Sequence, residues 1–168
     1  AIAERFGGLQ IVFSGRAHPA DGEGQSILRE LVLAGQGSRW LRIAVLDGYS
    51  LREGRMMTGG VDIWLNNPVR PLEASGTSGM KAVLQGVPNL SIPDGWWLEG
   101  CRHGVNGWAF GATVNPETGA WGEPTHRDDD ADADALYQAL EPQVLPLLTA
   151  ADAAEWATMQ KHAIATAP

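Results

Sequence analysis

A chain of 168 residues with 44% hydrophobic side chains suits one packed domain that buries roughly two thirds of its unfolded surface. Its formal charge of −8 argues against a nucleic-acid surface, which selects basic patches, and against an anionic membrane. The lone cysteine, Cys101, excludes an internal disulfide. No signal peptide is visible, nor an apolar run of about 18 residues, so a cytoplasmic enzyme is the simplest expectation.

Leu9 to Phe13 reads as a buried strand ending at Ser14-Gly15, and Gly24 to Leu33 carries a helical apolar stripe at residues 27, 28, 31 and 32. Leu41 to Leu46 is a second strand. Leu51 to Met57 is a short helix weakened by Gly54, at a cost of about 1 kcal/mol against alanine. Val61 to Leu65 is a third strand, followed by a loop from Asn66 to Gly76 with prolines at 68 and 71. Ser78 to Leu84 is a helix stopped by Gly86, with Thr77 as its N-cap, and Asn89 to Ile92 is a fourth strand. The alternation predicts an α/β fold, a Rossmann-like parallel sheet with flanking helices, with ligands bound beyond the strand carboxyl ends. Gly111 to Thr125 is rich in turn formers. Asp128 to Asp134 reads as a solvated acidic loop feeding a helix N-terminus, where negative charge is favourable. Residues 133–148 and 151–165 suggest two closing helices, the first broken by Pro142 and Pro146.

The chemistry concentrates between residues 73 and 81. Lys81 and Lys161 are the only lysines, and Lys161 sits in an ordinary amphipathic tail helix. Gly76 and Gly79 let the backbone approach a bound group, free N–H groups at a helix start attract an anion, and Lys81 lies one turn beyond Thr77. Backbone donors at one end and an amine at the other suit a phosphate-bearing aldehyde such as pyridoxal phosphate. Other patterns fail. Gly76 to Lys81 lacks the Gly-Lys-Ser/Thr of a P-loop, and Cys101, His18 and His103 do not have zinc spacing. His18 reads as bonded within its own turn. Trp96 and Trp97 read as core packing rather than as sugar-stacking platforms. Asn89-Leu90-Ser91 matches a glycosylation acceptor only as a short motif.

The run Glu73-Ala74-Ser75-Gly76-Thr77-Ser78-Gly79-Met80-Lys81 resembles the cofactor-lysine motif of the α-glucan (glycogen, starch and maltodextrin) phosphorylases. Val61-Asp62-Ile63-Trp64-Leu65-Asn66-Asn67-Pro68, Asp94-Gly95-Trp96-Trp97, Ser14-Gly15-Arg16-Ala17-His18-Pro19 and Asn106-Gly107-Trp108-Ala109 resemble the shorter bacterial and archaeal branch. The likeness is nearly continuous over residues 9–112 and weaker from 128 onward. It departs from the family at Arg16, where lysine is common, and at Gly54, where a better helix former is usual.

The resemblance implies the C-terminal lobe of a GT-B-type, two-lobed glycosyltransferase architecture. Residues 1–127 would be the pyridoxal-phosphate-binding lobe and 128–168 a helical segment packed on it. It implies that Lys81 holds pyridoxal 5'-phosphate, that the N–H groups of Thr77 and Ser78 hold its phosphate, and that Tyr49 stands beside it. Glu73, Ser75 and Gly76 then bond the glucosyl hydroxyls. The implied reaction is phosphorolysis of α-1,4-glucan by inorganic phosphate to glucose 1-phosphate, with the cofactor's phosphate as acid and base. The family's substrate-phosphate-binding basic cluster and its N-terminal lobe lie upstream of the matched motifs. The chain is therefore expected to be a fragment that does not catalyse alone, from a parent whose homo-oligomeric state stays open. The alternatives are a nucleotide-sugar-dependent glycosyltransferase of the same architecture, which has no need of Lys81, and a non-catalytic glucan-binding lobe.

Overall fold

In a computed structural model, described for residues 2–72, 75–122, 128–150 and 153–167, strands and helices alternate as the apolar pattern predicts. The chain divides into two compact units, Ala1–Arg55 and Met56–Pro168. In the first, a short helix α1 (Ile2–Arg5) precedes β1 (Leu9–Gly15), α2 (Gly22–Gln36) and β2 (Leu41–Asp47). β1 and β2 pair in parallel from Leu9↔Leu41 to Gly15↔Asp47. α2 is longer than its apolar stripe because Asp21 caps it, accepting from Gly24 N at 2.9 Å. Near its other end Gly35 lets the helix lie close on β2, since a Cβ there would sit 3.0 Å from Ile43 Cβ. Ser14 Oγ donates to Gly48 O at 2.8 Å and joins the two strand exits. His18 is bonded locally, its Nδ1 accepting from Ala20 N at 3.1 Å.

Helix α3 (Leu51–Gly60) runs through Gly54 and beyond the expected end at Met57. The glycine has a packing reason: a Cβ there would overlap the Tyr49 hydroxyl and ring, which lie against this turn of the helix.

The second unit is built on β3 (Trp64–Asn66), β4 (Asn89–Ser91) and β5 (Gly107–Ala109), all parallel in the order β3-β4-β5. β3 starts later than its apolar run. Pro88, just before β4, has no N–H for a ladder, so pairing begins only at Trp64↔Asn89, with Trp64 N donating to Pro88 O at 3.0 Å. Helices α4 (Thr77–Val83) and α5 (Trp97–Gly100) connect these strands. α1, α5 and β5 have no counterpart in the expected elements. β5 contains Gly107, whose missing Cβ leaves room for Asn89 O and the Trp97 ring.

The tail is more continuous than its prolines suggest. α6 (Asp129–Ala139) passes through a π-helical turn (Leu140–Val144) into α7 (Leu145–Leu148). The wide π turn takes up Pro142, which has no N–H, and Pro146 stands at the start of α7 directly after it. α8 (Ala154–Ala165) closes the chain. The acidic run is helical rather than a feeding loop: Asp128 caps α6, accepting from Ala131 N at 3.0 Å, and Asp129, Asp130 and Asp132 occupy the first turn. Asp132 also accepts from Ala112 N at 2.7 Å.

Ala139, Val144 and Met159 of the tail pack on Leu90, Ile92, Trp108 and Phe110 around the β4 and β5 ends. A second cluster joins Val83, Trp96, Trp97 and Ala163. The two indoles meet edge to face, 5.0 Å between centroids, which makes them core residues rather than a sugar platform. Each large apolar side chain buried here contributes about 1.5–3 kcal/mol.

Candidate cofactor and sugar site

α4 opens on Gly76, whose φ of 76° and ψ of 40° place it in the left-handed region that favours glycine. This corrects the expected cap. Thr77 is the first helical residue, not the N-cap, and the residue in the cap position, Gly76, has no side chain to cap with. A left-handed glycine turns the chain sharply enough that no β-region capping residue is needed. Gly76 O accepts from Gly79 N and Met80 N at 3.1 and 3.4 Å. The N–H groups of Thr77 and Ser78 precede that ladder and have no protein acceptor among the described residues. Lys81 follows on the exposed side of α4, while Gly79, Ala82 and Val83 are buried on the other.

The loops after β3 and β4 meet at this point. Trp96 N donates to Ser75 O at 3.0 Å. Gly95, with φ of 53°, passes so near that a Cβ would lie 2.7 Å from Ser75 O. Ser75, Gly76, Thr77, Ser78 and Lys81 are thus brought together on one turn and one short helix. Glu73 lies outside the described residues. Tyr49 belongs to the first unit, 54% exposed, in the turn between β2 and α3.

Beneath α4 runs a polar network that sequence reasoning missed. Trp64 Nε1 donates to Asn66 Oδ1 at 3.0 Å, Asn66 Nδ2 to Asn89 Oδ1 at 3.3 Å, and Asn89 Nδ2 to Gly79 O at 3.1 Å. The available signal was two asparagines, poor strand formers, at the end of one strand and the start of another. Asn89 is fully buried, so its acceptor motif is closed to glycosylation.

A separate cavity of about 370 Å³ opens beyond the strand carboxyl ends, between Val69, Arg70, Pro93, Thr113 and Asp132. Among the described residues, none of the expected site residues lines it. Burial pushes the Cys101 thiol up to about 12, which disfavours the reactive thiolate. His103 is a structural group: Nδ1 accepts from Ala109 N at 3.1 Å and Nε2 faces Gln143 Oε1 at 3.1 Å. Burial lowers its pKa below the usual 6.5. Arg16 pairs with Asp47 at 2.7 Å on the surface, where ion pairs contribute little.

No family model matches the chain. It is 46% identical over 158 residues to the maltodextrin phosphorylase of Thermococcus litoralis, a match covering 93% of this chain and 18% of that protein. The chain is a relative of the α-glucan phosphorylases. The glycogen phosphorylase of Aquifex aeolicus is 44% identical over 161 residues, covering 93% of this chain and 22% of that one. The phosphorylase-like chain thus spans about a fifth of the length of these relatives. Among solved structures, Anabaena Alr3699/HepE, determined in complex with UDP and glucose, superposes with a TM-score of 0.58 at 16% identity, covering 99% of this chain and 47% of that one. At that identity the likeness shows the fold alone: a Rossmann-like α/β lobe of the GT-B class.

Proposed function

We propose that this segment is the cofactor-binding part of an α-glucan phosphorylase, which transfers a terminal α-1,4-linked glucosyl unit to inorganic phosphate and releases glucose 1-phosphate. The observation that carries the proposal is 46% identity to a maltodextrin phosphorylase across 93% of the chain, a span long enough to include Lys81. On this reading residues 1–127 form the cofactor lobe and 128–168 a helical segment on it. The opposing lobe and the basic cluster for substrate phosphate come from outside the segment. The compartment is the cytoplasm; among the described residues no helix is long and apolar enough to cross a membrane.

The residues present fit pyridoxal 5'-phosphate. The left-handed start at Gly76 leaves the Thr77 and Ser78 N–H groups outside the helix ladder, and the Lys81 amine stands on the exposed face one turn on. Those donors suit a phosphate, and an exposed amine suits an aldehyde. When bound, the cofactor supplies a phosphate monoester with a second pKa of about 6, able to exchange a proton with substrate phosphate near neutrality. In this reading the Thr77 and Ser78 N–H groups hold the anion and Lys81 tethers the ring. Glu73, Ser75 and Gly76 bind and orient the glucosyl hydroxyls through charge-assisted and backbone hydrogen bonds. A glucosyl unit held against the phosphates in a closed site gains from proximity and from exclusion of water.

The test is an assay of the full-length protein with maltooligosaccharide and inorganic phosphate. Glucose 1-phosphate formed only with phosphate and pyridoxal phosphate both present is the expected result. Transfer from UDP-glucose without pyridoxal phosphate contradicts the proposal and favours the nucleotide-sugar alternative.

A further inference from the structure

We propose that Asn89 positions Lys81, acting through the backbone of α4. This rests on the reading of Lys81 as the cofactor lysine and deepens it. α4 has seven residues and opens on a glycine, which has no side chain to cap it, and a helix that short does not hold its place by itself. Its bonds to the rest of the fold decide where Lys81 points. Asn89, 0% exposed at the start of β4, donates from Nδ2 to Gly79 O at 3.1 Å. Its Oδ1 is taken by Asn66 Nδ2 at 3.3 Å, and Asn66 Oδ1 by Trp64 Nε1 at 3.0 Å. The indole can only donate, so it sets the Asn66 amide, and Asn66 sets the Asn89 amide with its N–H toward α4. A buried amide costs free energy unless bonded, so this network specifies one arrangement of helix on sheet more sharply than an apolar contact does.

The geometry turns that clamp into an aim. Gly79 and Lys81 are two residues apart, about 200° around a helix of 3.6 residues per turn. Holding the Gly79 face against β3 and β4 therefore directs Lys81 away from the sheet, as its exposure shows. There is no slack at the contact: a Cβ on Gly79 would lie 2.7 Å from Asn89 Oδ1, 3.1 Å from Trp96 Nε1 and 3.2 Å from Asn66 Nδ2.

The experiment titrates full-length apoprotein with pyridoxal 5'-phosphate, reading the dissociation constant by absorbance and the ring's orientation by its induced circular dichroism. Asn89→Ala removes the clamp. Gly79→Ala keeps every bonding side chain and raises helix propensity, but pushes the helix off the network. Leu90→Val, the neighbouring core residue, is a stability control. Both clamp variants should weaken binding roughly tenfold, the scale of one lost neutral hydrogen bond, and change the dichroic band. Leu90→Val should change neither. Clamp variants that bind with wild-type affinity and an unaltered band overturn the role of Asn89 while leaving the function standing. A Leu90→Val protein that loses affinity and dichroism equally overturns it as well, since the effect is then general destabilisation. Wild-type protein that takes up no pyridoxal phosphate overturns the reading of Lys81 and this inference with it.

Discussion

Replacing Gly95 by alanine tests the crossing of the two loops at the candidate site. Gly95 has a φ of 53°, and its added Cβ would lie 2.7 Å from Ser75 O, 2.8 Å from Ser75 C and 3.2 Å from Ser75 Cα. Backbone cannot rotate out of the way as a side chain can, so the Ser75-Gly76 turn must shift. The left-handed conformation costs alanine about 1–2 kcal/mol. Displacing Ser75 also strains or breaks the 3.0 Å bond from Trp96 N to Ser75 O, whose net worth is about 1 kcal/mol. The sum is about 2–3 kcal/mol, or roughly 4–12 °C in Tm for a chain of this size. Gly104 is the matched control: its φ is 72°, and a Cβ there meets nothing within 4 Å. Gly104→Ala should cost only the conformational part, about 1–2 kcal/mol. Urea unfolding followed by tryptophan fluorescence measures both. Equal losses in the two variants would refute the claim that the loops after β3 and β4 touch at Ser75 and Gly95.

Two further predictions concern His103 and Glu73. Because the folded pKa of His103 lies below 6.5, the unfolded chain takes up a proton there that the folded chain refuses. The stability is therefore full above pH 6.5 and is lost as pH falls from 6.5 through the folded value. The stability difference between wild type and His103→Gln should narrow between pH 7 and pH 5 in urea unfolding, and a difference independent of pH contradicts the assignment. Glu73→Ala in the full-length protein should slow phosphorolysis by roughly 10²-fold or more while pyridoxal phosphate stays bound, as expected for a lost charge-assisted contact that strengthens in the transition state. Near-normal turnover places Glu73 outside the sugar site.

The regular elements were legible where one local pattern decided them. Apolar runs marked β1, β2 and β4, and the stripe marked α2, although Asp21 and not the stripe sets where α2 begins. The pattern failed where a distant residue decides. β3 starts at Trp64 because Pro88 cannot pair, and β5 exists because Gly107 fits under Asn89 and Trp97. The prolines of the tail misled because a π turn absorbs one of them, and that is a property of the packed helix. At the site, the glycines and lysine of residues 76–81 announced a tight turn with an amine beyond it. Reading Thr77 as the cap followed residue preference, whereas the left-handed Gly76 takes that place. Asn66 and Asn89 were invisible as a pair because they lie 23 residues apart and meet only across the sheet.

The most direct test of the central claim is to reduce the full-length protein with borohydride in the presence of pyridoxal 5'-phosphate and map the modified peptide. The account predicts a pyridoxyl mass on Lys81, the lysine of α4 that follows the Gly76 turn. A pyridoxyl mass on Lys161, or no modified peptide at all, would contradict it.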